Sequence, residues 1–81
     1  MKEYPENYDD TVLGDIAWTP KVTDIFSFLG EEYWVDWCRL PISYFNEWPR
    51  EGFIKYLPVT PDALYEIESI MQMYGVKWRD Q

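Results

Sequence analysis

The chain has no histidine and a single cysteine, Cys38. These absences remove whole classes of chemistry. Without histidine there is no Ser-His-Asp or Cys-His relay to activate a nucleophile. Zinc would find one thiolate plus carboxylates, a poor structural site. An internal disulfide is impossible. A phosphate-cradling glycine loop and a dinucleotide fingerprint are also missing. Long apolar runs are absent too. The longest uncharged stretch, Ser69–Val76, is eight residues, whereas a membrane span needs about 18–20. Bases are scarce, seven against fifteen acids for a net charge of −8. Direct binding to nucleic acid or an anionic membrane, both of which require a basic face, is therefore disfavoured. The expectation is a cytoplasmic protein of a reducing compartment, without a signal peptide, cofactor or transition metal, and not an enzyme.

What is present is aromatic. Five Trp, seven Tyr and four Phe occur in 81 residues. A domain this short buries only about 60–65% of its unfolded surface, and with no staple available its core must be densely packed. Each aromatic can bury roughly 150–250 Å². One domain spanning residues 1–81 follows, with residues 1–15 read as an irregular arm punctuated by Pro5, Asn7 and Gly14.

Local signals place two helices. Thr19-Pro20 supplies a capping hydroxyl and then proline at the first helical position, where its missing N–H costs nothing. Val22, Ile25, Phe26 and Leu29 follow at helical spacing, and Gly30 suits the left-handed residue beyond a helix end. This predicts a short helix over 20–29. Thr60-Pro61-Asp62 repeats the start signal, and Ala63, Leu64, Ile67, Ile70, Met71 and Tyr74 form an apolar stripe. A helix over 61–74, ended by Gly75, is expected. Residues 33–40 and 53–57 are rich in β-formers and read as strands, with a closing strand at 76–78 and a helical turn between 42 and 48. The expected fold is therefore α+β, a small, mostly antiparallel sheet packed by the C-terminal helix.

Motif searches yield little. Counted from Asp9, a calcium loop would place Leu13 and Pro20 at ligand positions, which excludes it. Ala63-Leu64-Tyr65-Glu66 matches an opening motif of SH3 domains but has too few residues after it for that barrel. Cys38 reads as a small core residue.

Two features remain. Residues 1–36 carry a net charge of −7 and residues 37–81 only −1. Five tryptophans also exceed what so small a core readily hides. Exposed aromatics beside charge are typical of interface hot spots. The candidate binding residues are Asp9, Asp10, Asp15, Asp24, Glu31, Glu32 and Asp36, with Trp34 and Trp37 as anchors. In composition the chain resembles phage-encoded inhibitors of host restriction, repair or CRISPR systems. That likeness implies a non-enzymatic protein that mimics nucleic acid and occupies the basic surface of a nucleic-acid-binding protein. Two alternatives are an aromatic-cage reader of a cationic peptide and a subunit whose acidity serves solubility alone.

Overall fold

A computed structural model describes residues 11–81. Three α-helices dominate: α1 (Pro20–Tyr33), α2 (Arg50–Tyr56) and α3 (Pro61–Met73). Short 3₁₀ turns occupy Leu13–Asp15, Trp37–Arg39 and Ile42–Glu47. No sheet forms among the described residues. β-Pairing is limited to an isolated antiparallel bridge between Val12 and Pro41. The expected α+β fold is thus corrected to a small helical globule.

Each expected strand resolves differently. Tyr33 closes α1, Trp34 turns the chain, and Trp37–Arg39 forms a 3₁₀ turn. Residues 53–57 fall mostly within α2, which Pro49 precedes and Glu51 supports at its positive end. Residues 76–78 form an irregular strap. Its Val76 N–H donates to the Met71 carbonyl (2.9 Å), while the next-but-two N–H, of Arg79, donates to the Trp48 carbonyl (2.8 Å). β-Propensity reflects packing on a half-buried surface rather than an intrinsic backbone choice, and here the same aromatics pack between helices. Of the expected arm, residues 1–10 lie outside the described residues. The remainder is tied down, with Leu13 fully buried and its N–H donating to the Leu40 carbonyl (2.8 Å).

The start of α3 behaves as its sequence predicts. The Thr60 hydroxyl accepts the Ala63 N–H at 3.3 Å and so caps α3. Thr19 departs from this pattern. Its hydroxyl and N–H both donate to the Glu66 carboxylate of α3, at 2.6 and 2.9 Å. One carboxylate therefore holds the start of α1 against the middle of α3. Lys21 and Asp62 add an exposed ion pair at 3.6 Å between the same helices.

Aromatic rings form the spine of the core. Phe26 of α1 stacks with Trp18 (5.0 Å between centroids), Trp37 (5.2 Å) and Phe45 (6.1 Å). Phe45 continues to Phe53 and Trp78, and Trp48 joins Phe53 to Tyr33. Edge-to-face geometries recur, as the ring quadrupoles favour. Ile67 and Met71 of α3 complete the floor. The stripe expected on α3 is the face it buries.

Candidate functional site

α1 is amphipathic. Val22, Ile25, Phe26 and Leu29 are buried, while Asp24 and Glu31 sit seven residues apart on the outer face, about 10 Å along the axis. Glu31 and Glu32 occupy the last turn, and no base accompanies them there. Their charge meets the negative end of the helix dipole, which costs about 0.3–1 kcal/mol per carboxylate.

Trp34 follows directly. Its backbone is left-handed (φ 57°, ψ 43°), and its side chain is 93% exposed. The Trp34 and Val35 N–H groups both donate to the Gly30 carbonyl, so residues 30–35 make the familiar left-handed helix stop. Glycine usually holds the left-handed position. Here Gly30 lies four residues earlier than that position, inside the helix, because a Cβ on it would lie 2.9 Å from the Val35 carbonyl oxygen. Placing an L-residue other than glycine in the left-handed region costs about 1–2 kcal/mol. The end of α1 therefore concentrates three local costs: two carboxylates at the wrong pole, a strained tryptophan and an indole in water.

Among the other sequence candidates, Asp15 is exposed on the first 3₁₀ turn and Asp36 is exposed and pairs with Arg39 at 3.5 Å. Asp9 and Asp10 lie outside the described residues. Trp37 is half-buried against Phe26 and belongs to the aromatic spine rather than to the surface. Trp18, Trp48 and Trp78 belong to the spine as well, so Trp34 is the tryptophan left outward. Cys38, expected as core, is exposed on its 3₁₀ turn.

A second arrangement was not anticipated from sequence. The Glu68 carboxylate accepts from Arg50 Nε at 2.6 Å and from Trp78 Nε1 at 2.7 Å. Burial pushes the Glu68 carboxyl up, but those two hydrogen bonds and the guanidinium charge outweigh it, and its pKa lies below the ordinary value. The same hydrogen bond, then the Glu68 charge, raises Arg50. These groups border an open groove of about 430 Å³ between the end of α3 and the C-terminal strap. Gln72 and Lys77 also line it, and Met71, Val76 and Trp78, which line it too, are themselves buried in the core. The three charged or polar partners come from three separate elements, so no spacing in the sequence announces them.

Among the described residues, no group of three or more His, Cys, Asp or Glu is arranged to hold a metal ion, and no helix is long and apolar enough to cross a membrane. No protein-family model, curated protein or solved structure matches the chain.

Proposed function

We propose that this protein is a non-enzymatic binding protein that docks the acidic, tryptophan-bearing end of α1 onto a basic surface of a partner protein. The observation that carries this reading is Trp34, a fully presented indole held in a strained backbone conformation and flanked by Glu31, Glu32 and Asp36. Local strain that the surrounding fold maintains is characteristic of functional positions. Tryptophan is also among the residues most enriched at interface hot spots. A nucleic-acid-binding protein is the partner class that best fits a net charge of −8, because carboxylates can take the place of phosphates in a basic groove. Inhibition of such a protein by mimicry, of the kind phage-encoded inhibitors practise, is the finer form of the proposal. The aromatic-cage alternative is less well supported, because four of the five tryptophans are engaged in the spine and a cage needs several rings around one cation.

Binding kinetics test the reading. A pull-down with mass spectrometry identifies the partner. Neutralising Asp9, Asp10, Asp15, Glu31, Glu32 and Asp36 together is then expected to slow association and flatten its salt dependence. Trp34→Ala is expected to speed dissociation by the equivalent of about 2 kcal/mol. If the neutralised protein associates as fast as wild type between about 50 and about 500 mM salt, where the screening length falls from ~14 to ~4 Å, the acids are only a solubilising coat.

A further inference from the structure

On the outward face of α1 an exposed phenyl ring, that of Phe28, stands among carboxylates. Residues three and four positions apart on a helix are neighbours, with about 5–6 Å between their Cβ atoms. Asp24, Glu31 and Glu32 therefore all border Phe28, and each of them is exposed. The Trp34 indole follows at the end of the same helix. Among the described residues, neither of these rings contacts another ring, and none of the three carboxylates has an ion pair. The nearest bases in sequence are committed elsewhere, Lys21 to Asp62 and Arg39 to Asp36. The face thus combines open aromatic surface with unbalanced negative charge. Resting on the partner reading above, we infer that the group this face takes from its partner is arginine. Its guanidinium lies on the Phe28 or Trp34 ring, with carboxylates from Asp24, Glu31 and Glu32 supplying the counter-charge.

Charge alone does not choose between arginine and lysine, because each carries one positive charge. The rings do. A guanidinium is planar, stacks on an aromatic face, pairs with a carboxylate through two parallel N–H bonds and is more weakly hydrated than an ammonium. A lysine ammonium is a compact, strongly hydrated point charge. A cage needs several rings around one cation, whereas stacking needs a single open ring face with an acceptor nearby. Other occupants fit less well. Nucleic acid is repelled by the same carboxylates, and an uncharged apolar partner would bury three carboxylates without a counter-charge. Arginine is also the side chain that nucleic-acid-binding grooves favour for phosphate and for guanine. Carboxylates by themselves would imitate phosphate for lysine and arginine alike. Adding the rings biases the imitation toward arginine.

Calorimetric titration of the full chain with two hexapeptides of equal charge, oligoarginine and oligolysine, tests this without the partner. Oligoarginine is expected to bind at least about threefold tighter at about 50 mM salt. At about 300 mM salt both are expected to weaken while the ratio holds, because a stacked contact is screened less than long-range attraction. Phe28→Leu/Trp34→Leu keeps apolar side chains in place and removes both rings. It is expected to bring the ratio to about one, at the oligolysine affinity. Trp34→Leu alone changes only an indole that is 93% exposed, so it keeps the fold if the double variant does not, and it is expected to lower the ratio. Asp24→Asn/Glu31→Gln/Glu32→Gln is expected to weaken both peptides. Equal binding of the two peptides by wild type overturns the proposal, as does binding of neither. So does a ratio unchanged by Trp34→Leu, or a neutralised protein that binds both peptides as wild type does. The partner reading is decided separately, by association kinetics with the captured partner. A protein that docks there by charge yet treats arginine and lysine alike overturns this inference alone.

Discussion

The two ends of α1 are built on opposite terms. At its start, sequence and tertiary structure agree on where the helix begins, although the Thr19 hydroxyl turns to Glu66 instead of capping the helix. Thr19 precedes a proline at the first helical position, and the Glu66 carboxylate binds both Thr19 donors. At its finish they disagree, with carboxylates at the negative pole, no base in the last turn and a tryptophan where glycine belongs. One end spends nothing avoidable, and the other holds an unfavourable arrangement that the rest of the fold maintains. Local conflict of this kind is expected at functional or strained positions.

That contrast can be broken or sharpened by substitution. Phe26, midway along α1 and stacked with three rings, sets the scale. Phe26→Ala is expected to cost about 3–5 kcal/mol in urea unfolding, and a much smaller loss would mean that the spine does not hold the helix. Ile67→Ala, a fully buried position on the face of α3, is expected to cost about 2–5 kcal/mol. A loss under about 0.5 kcal/mol, the range of neutral surface changes, would place that face in solvent. Glu66→Ala removes the clamp on Thr19. Both donors are exposed and can turn to water, so about 1 kcal/mol is expected, together with faster amide exchange at the start of α1.

Acid titration examines the other carboxylate hub. The pKa of Glu68 is depressed in the fold below its ordinary 4.5. Its contribution to stability is therefore fully present above that ordinary value and is lost as pH falls through the lower folded one. The stability difference between wild type and Glu68→Gln is expected to be largest near neutrality and to shrink below about pH 4.5. A difference that stays constant into acid would show that the hub acts through shape and not charge. The smallest effect carries the opposite sign. Trp34→Gly relieves the left-handed strain and is expected to stabilise by up to about 1 kcal/mol, and a net loss would show that the indole packs usefully in the free protein.

The helices with both a start signal and a period were legible. Thr60-Pro61 and the Ala63, Ile67, Met71 stripe gave α3 within a residue of its end. Thr19-Pro20 marks the start of α1, but Gly30, which by sequence suits its stop, serves a close backbone approach within the helix. The aromatic and β-branched runs at 33–40 and 53–57 misled, because residues that suit a pleated surface also suit an inter-helix core. Their helical fate is set by partners far along the chain, such as Phe45 and Trp78 for Phe53. For α2 the readable cue was Pro49 with Glu51 in the first turn. The surplus of tryptophan correctly implied an outward ring. Which tryptophan it is depends on the left-handed turn at 34, and no periodicity encodes that. The Arg50–Glu68–Trp78 cluster was invisible because its members meet only through the fold.

The isolation of Trp34 gives the molecule an intrinsic optical probe. One indole stands in water while Trp78 is buried and the other three are partly buried against the apolar spine, so Trp34 weighs most heavily in the red edge of the emission spectrum. Its neighbours also make it selective among quenchers. The field of Glu31 and Glu32 repels iodide and gathers caesium, while neutral acrylamide reaches the ring regardless. The ratio of caesium to iodide quenching at the red edge thus measures the local potential at the end of α1, without any label.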